Sequence, residues 1–164
     1  MAAVVLTTAC GSGPAPAYVR LGGPAPRLAD VPASRALLVV FWASWCAPCR
    51  TETPSLRRLS DRRPEGLELV VFGHDDSPAA VREFLAGDPP AAWHYRADTG
   101  HAVATSFGVD ALPASILVVQ GRLKARFSGS RDWGSDEMHA LLDRLIQEDE
   151  GHLSPTPAGR SPND

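Results

Sequence analysis

Cysteine is scarce in this chain, with three residues in 164. At most one intrachain bridge can form, which excludes a disulfide-stapled, loop-rich scaffold. The odd number also gives one thiol a separate job. Long apolar runs are missing too. The longest strongly apolar stretch, Ala36 to Ala43, is far too short to cross a bilayer. There is no excess of basic charge: the formal net charge is −3, and no basic patch is interleaved with aromatics, so nothing draws the chain to nucleic acid. The five histidines, at 74, 94, 101, 139 and 152, are scattered without ligand spacing. Internal repeats are absent. What remains, 44% hydrophobic and 21% charged residues, is the composition of a soluble globular protein. The length suits one domain with short appendages.

The chain opens M-A-A-V-V-L-T-T-A-C and continues G-S-G-P-A-P. A short apolar run, small residues and then a cysteine resemble the end of a bacterial lipoprotein signal, in which that cysteine is lipidated after cleavage. Residues 1–10 are therefore read as a signal remnant with Cys10 as the lipidation site. The alternative is an incidental cysteine in a frayed terminus. Residues 11–26, rich in Gly, Ser and Pro, read as a flexible linker that carries a short strand around Tyr18 to Leu21. The domain proper is expected over 27–149. Residues 150–164, again rich in Pro, Gly and Ser, read as a disordered tail.

Within the domain, Leu37 to Ala43 is a continuous apolar run rich in β-branched and aromatic residues, which predicts a strand buried on both faces. Leu67 to Gly73 and Ser115 to Gln120 predict two more. Gly121 is a turn, and Leu123 to Ser128 a fourth strand. Helical spacing runs through Leu56 and Leu59 between Arg50 and Arg62. Pro78 at a first turn predicts a helix to Ala86, with Val81, Phe84 and Leu85 inward. Ala102 to Phe107 predicts a short helix with Asp98 as its cap. Ser135 to Glu148 predicts an amphipathic one with Met138, Leu141, Leu142, Leu145 and Ile146 inward. The fold class is therefore α/β: a mixed sheet of four to five strands flanked by helices on both faces.

The feature that carries chemistry is W-C-A-P-C, Trp45 to Cys49, at the junction of the first buried strand and a helix. Ligand sites in open α/β sheets gather beyond the carboxyl ends of the strands. A helix start there offers unpaired N–H groups and the positive end of the helix dipole. Both stabilise a thiolate, so Cys46 is the expected low-pKa nucleophile. Cys49, one turn later, is placed to attack a mixed disulfide from within. Pro48 suits the first turn, where no N–H bond is lost, and Arg50 adds positive charge. A bare C-x-x-C is also half of a zinc site, but no further cysteine pair or histidine cluster completes one, and no metal or other cofactor is called for.

At this point the sequence resembles a known family. F-W-A-S-W-C-A-P-C-R is similar to the active-site segment of thioredoxin-like proteins, and Pro54 matches the proline that kinks their first helix. V-D-A-L-P-A-S-I-L-V-V resembles the loop whose cis-proline packs against their redox pair, which places that proline at Pro113. The resemblance implies a thioredoxin fold and a substrate-binding edge at Leu112, whose backbone groups take an extended partner strand. It also implies docking over Trp45, Ala47 and Pro48. Leu112 to Leu117, the insertion from about Pro78 to Phe107 and the N-terminal cysteine together resemble the TlpA/ResA-type reductases anchored outside the cytoplasmic membrane, with which cytochrome c maturation proteins group. Ala114 and Ser115 are smaller than the threonines usual there. That resemblance implies protein thiols and disulfides as partners, an upstream thiol electron donor embedded in the membrane, and attachment by a lipid anchor alone. A buried acid that serves the second cysteine of thioredoxin has no counterpart here, because its position is Val40. Asp76, followed by Ser77 as in the TlpA/ResA-type proteins, is the expected substitute.

Two other activities fit the same residues less well. A thiol peroxidase shares the fold but typically holds peroxide with a Thr three residues before its cysteine; here that residue is Ala43. A non-catalytic copper- or protein-binding module would keep the cysteines as ligands, yet no Met- or His-rich partner motif accompanies them. Asp98-Thr99-Gly100 spells the aspartic-protease tripeptide once only and reads as a helix cap. Phe41, Trp42, Trp93 and Tyr95 read as core.

Overall fold

The computed structural model describes residues 17–29 and 31–148. The signal remnant with Cys10, the first part of the linker and the C-terminal tail lie outside the described residues. Among the described residues six strands occur: β1 (Val19–Arg20), β2 (Ala36–Trp42), β3 (Leu67–Gly73), β4 (Arg96–Ala97), β5 (Ala114–Val119) and β6 (Arg122–Ser128). The same residues hold four α-helices: α1 (Ala47–Asp61), α2 (Pro78–Leu85), α3 (Ala102–Ser106) and α4 (Asp136–Gln147), with a 3₁₀ turn at Ala91–Trp93.

All six strands form one sheet in the order β1-β6-β5-β2-β3-β4. β2, β3 and β4 run parallel, whereas β5 is antiparallel to β2, β6 to β5 and β1 to β6. The sheet is mixed, as the sequence predicts, and β2 lies at its centre, paired along its length on both sides. That position explains the unbroken apolar run, since a central strand covered above and below has no solvent face. Alternation of side chains along β2 divides the core. Leu38, Val40 and Trp42 join Leu56, Leu59, Val81, Met138 and Leu142 of the helices on one face. Val39 and Phe41 join Val70, Phe72, Phe107 and Ile116 on the other.

The helices start where the sequence places starts. Ser77 caps α2 by accepting the N–H of Ala79, with Pro78 in the first turn. Ser135 caps α4 by accepting the N–H of Met138, and Asp136 and Glu137 fill its first turn. The carboxylate of Asp98 accepts the N–H groups of Val103 (3.0 Å) and Ala104 (2.9 Å) at the start of α3.

The sheet has six strands where four to five were expected. The additional edge strand is β4, whose two residues are both exposed, and a segment so short carries no alternation to read. The short strand expected near Tyr18 is β1. The segment after it is not a bare tether: Pro24 bridges to Arg122, and Leu21, Ala25, Leu28 and Val31 pack against the second core face. Apolar residues spaced among prolines cover a sheet here without any helical or strand period. Among the described residues, no helix is long and apolar enough to cross a membrane.

Candidate active site

The site is built where two neighbouring parallel strands end. After β2 the chain passes Ala43 and Ser44, both buried. After β3 it passes His74, whose N–H donates to Trp42 O (2.9 Å), and Asp75. Both carboxylate oxygens of Asp75 lie within hydrogen-bond distance of Ser44 N (3.1 and 3.0 Å), and the Ser44 hydroxyl donates to the same carboxylate. The loop that presents the cysteines is thus fastened to the loop beside it. Trp45, next along, projects into solvent and is 65% exposed.

Cys46 is the N-cap of α1, with extended backbone (φ −82°, ψ 110°), and its sulfur accepts the N–H of Cys49 at 3.3 Å. The helix therefore aims its first donors at this sulfur, as the motif requires. Cys46 and Cys49 are joined as a disulfide with Cα atoms 5.2 Å apart. The two differ in access: Cys46 retains 6% of its surface and Cys49 none. The backbone around Cys49 is held by Trp42, whose indole Nε1 donates to Cys49 O (3.2 Å) and to the Thr53 hydroxyl (3.1 Å). Arg50 donates to Ser44 O (3.3 Å) and lies over the Phe84 ring at 4.5 Å.

A cavity of about 540 Å³ opens beside the disulfide, lined among others by Trp45, Cys46, Ala47, Pro48 and Leu112. The Leu112–Pro113 peptide bond is cis. Pro113 is buried, with its carbonyl accepting Gly129 N–H at 2.9 Å, and Leu112 is half-buried at the cavity wall. Residues from the β2–α1 junction and from the start of β5 thereby share one hollow. Asp76 is exposed and does not line it; the residue that turns inward from the Asp75-Asp76 pair is Asp75. The α2 cap is Ser77.

Two features of the site escape a reading of motifs. Glu52, one turn beyond Cys49 on α1, is buried with 2% exposure. Its Oε2 accepts the backbone N–H of Arg131 (3.2 Å) and the indole N–H of Trp133 (3.2 Å), while Oε1 has no hydrogen-bond partner among the described residues. Burial pushes its pKa up to about 7, against the pull of those two donors. The available signal was its spacing from Leu56 and Leu59, which sets a carboxyl in the apolar stripe of the helix. The second feature is a pair of histidines: His74 and His101, scattered in sequence, line the same cavity as Cys46. Among the described residues, no group of three or more His, Cys, Asp or Glu is arranged to hold a metal ion.

A cysteine pair at the start of a helix, beyond the carboxyl edge of a central parallel strand and with a cis-proline loop sharing its cavity, defines a thioredoxin-like fold carrying a redox pair. The Redoxin family pattern matches residues 14–142, and the chain belongs to that family. It is 36% identical over 111 residues to the thiol:disulfide interchange protein HelX of Rhodobacter capsulatus, covering 66% of this chain and 61% of that one. Over 97 residues it is 42% identical to the thiol:disulfide interchange protein DsbE homolog of Paracoccus denitrificans, covering 56% and 50%. The chain thus spans about half to three fifths of the length of the curated relatives it matches. Among solved structures, dsbF from MTB superposes with a TM-score of 0.55 at 24% identity, covering 70% of this chain and 81% of that one.

Proposed function

We propose that this protein is an extracytoplasmic thiol–disulfide oxidoreductase that reduces disulfides in protein substrates. The observation that carries the reading is the unequal access of the two sulfurs: Cys46 opens on the cavity and Cys49 is sealed below it. In the reduced protein the Cys46 thiolate attacks one sulfur of a substrate disulfide, and the other sulfur leaves with the electron pair. Cys49 then attacks Cys46, the second substrate thiol departs, and the Cys46–Cys49 bond remains. A substrate strand lies along Leu112 and against Trp45, Ala47, Pro48 and Pro113, so that its disulfide reaches Cys46.

Cys49 needs a proton acceptor before it can attack, because a buried thiol ionises reluctantly. Glu52 is buried one turn away, where residues at this spacing are neighbours on a helix, and a carboxyl with a pKa near 7 takes a proton readily at neutral pH. We assign it that role in place of the exposed Asp76. Ala47 and Pro48 add no charge beside Cys46, which favours the reducing direction. The likeness to two thiol:disulfide interchange proteins supports the exchange activity, and the resemblance to the TlpA/ResA-type reductases supports a place in cytochrome c maturation. Electrons then come from a membrane-embedded thiol protein, and lipidated Cys10 ties the domain to the outer face of the cell membrane.

Trapping tests the reaction. Cys49→Ser accumulates mixed disulfides with substrate proteins through Cys46, whereas Cys46→Ser traps nothing; equal trapping by both reverses the assignment. A midpoint potential near about −270 mV supports a reductase, and one near about −120 mV makes the protein an oxidant. Fatty-acid labelling of the chain expressed in a bacterial host tests the anchor, and an unlabelled Cys10 removes it.

A further inference from the structure

His74 follows β3 and His101 immediately precedes α3, and their imidazole rings stack with centroids 4.2 Å apart and planes 23° from parallel. Both line the cavity that exposes Cys46. Their surroundings differ. His74 is buried, with Phe41 at its edge at 6.1 Å. Its Nε2 lies 3.5 Å from Asp98 Oδ2 and makes no hydrogen bond among the described residues. His101 is exposed, but its backbone is fixed. Its N–H donates to Asp98 O (2.9 Å), and its carbonyl accepts the N–H (2.9 Å) and hydroxyl (2.8 Å) of Thr105. With φ at 60° it occupies the left-handed region, which histidine enters more often than most L-residues. Stacked on a second imidazole in the wall of the reactive cavity, its ring is placed for chemistry.

We propose that the His74–His101 stack is the proton carrier of this redox centre, with His101 exchanging the proton at Cys46 and His74 positioning it. This deepens the proposed reductase reading and rests on it. In the reduced protein a His101 ring nitrogen accepts the Cys46 thiol proton, leaving a thiolate beside an imidazolium. The thiolate forms a bond to one substrate sulfur, the substrate S–S bond breaks, and its electron pair goes to the departing sulfur. That sulfur takes the proton back from His101. In the second step Cys49 gives its proton to Glu52 and attacks Cys46, the bond between Cys46 and the substrate sulfur breaks, and the departing thiolate takes a proton from water in the open cavity while Glu52 later releases its own. Two electrons pass from the dithiol to the substrate disulfide, and no other oxidant takes part.

The groups facing the stack fit this division of labour. Asp98 stands behind His74 with both oxygens already engaged by Val103 and Ala104. Asp75 is held by Ser44, the Tyr95 hydroxyl lies against Gly73 near it, and Asp110 is at the cavity wall. Negative charge from these carboxylates favours an imidazolium in the stack, while two charged rings 4.2 Å apart would repel. Burial, chiefly, and the neighbouring His101 lower the pKa of His74, so the buried ring of the pair resists protonation.

The pH dependence of Cys46 alkylation by iodoacetamide tests the proposal on the reduced full-length protein, read on the peptide that contains Cys46. His101→Asn is the informative variant, because Asn tolerates the left-handed backbone and lacks a titrating ring. It should move the inflection of the alkylation profile upward by about one pH unit, the size of shift expected on losing an adjacent positive charge. His74→Phe keeps an aromatic ring under His101 and should shift the profile less. A His101→Asn profile superimposable on that of the parent overturns the proposal, and so does a larger shift in His74→Phe. Alkylation needs no partner protein, so either result leaves the Cys46–Cys49 reaction standing. That reaction fails separately if the unaltered protein reduces no protein disulfide.

Discussion

Glu52 and Trp133 meet one helical turn past Cys49, where the indole Nε1 donates to Glu52 Oε2 at 3.2 Å and both side chains are buried. Trp133 belongs to the loop between β6 and α4, so this bond joins the helix of the cysteines to the far end of the chain. Two donors on one oxygen do not compensate for the loss of water, and the pKa of the carboxyl rises from 4.5 to about 7. A raised folded-state pKa makes the native state bind more protons than the unfolded one between these values, so stability falls as pH rises through that window. The contribution is fully present below about pH 4.5 and lost above about pH 7. It amounts to no more than about 3 kcal/mol. Urea unfolding of the oxidised protein at pH 5 and pH 7.5 should show this decline, and Glu52→Gln should remove most of it. An unchanged slope in the variant would place the titrating group elsewhere.

The same residue separates two accounts of resolution. If Glu52 accepts the proton of Cys49, Glu52→Gln should slow release of a trapped substrate roughly 100-fold at pH 7, the lower end of the range for a lost general base. The deficit should shrink at alkaline pH. Asp76→Asn should resolve at the parent rate from about pH 6 to 9, because its side chain is exposed. Stopped-flow quenching of mixed disulfides measures both. A slow Asp76→Asn beside a normal Glu52→Gln restores the assignment of the acid to Asp76.

Much of this site is legible in the sequence because its chemistry is local. The run into W-C-A-P-C reports a buried strand ending at a helix start, and a single proline before an apolar strand marks the facing loop. Contacts made only by the sheet are not legible. Nothing in Asp75-Asp76 shows which carboxylate turns toward Ser44, since that depends on how the loops after β2 and β3 lie side by side. His74 and His101 meet because β3 ends beside the loop that opens α3, and no spacing rule connects them. β4 eludes a periodicity argument for want of length, although pairing with the longer β3 forms it. Glu52 was visible as a charged residue in the apolar stripe of α1, a local inconsistency of the kind that functional sites carry.

Asp75 holds the cysteine loop through Ser44, and its loss should be felt in stability. Asp75→Ala leaves the buried Ser44 N–H without its acceptor, an omission worth about 1–3 kcal/mol. Asp75→Asn keeps an acceptor oxygen and should lose less. Asp76→Ala, on the exposed neighbour, should stay within about 0.5 kcal/mol of the parent. Denaturant midpoints of the three variants rank the effects, and equal midpoints for Asp75→Ala and Asp76→Ala would contradict the anchoring role.

Trp45 is the wall between two hollows. On one side is the cavity of about 540 Å³ beside Cys46, and on the other a groove of about 510 Å³ lined by Ser44, Arg50, Ala80, Glu83 and Phe84. An indole 65% exposed at that position contributes little to folding, so Trp45→Ala should leave stability within about 0.5 kcal/mol. Covering it with a partner is another matter, because aromatic anchors at the centre of an interface carry much of the binding energy, typically 2 kcal/mol or more. Reduction of a protein disulfide should therefore lose about 30-fold or more in kcat/KM. Reduction of a small-molecule disulfide, which reaches Cys46 without covering the indole, should change little. The comparison isolates docking from thiol chemistry, since both substrates react at the same sulfur. Should the small disulfide slow as much as the protein, Trp45 acts on the reactivity of Cys46 and not on its partners.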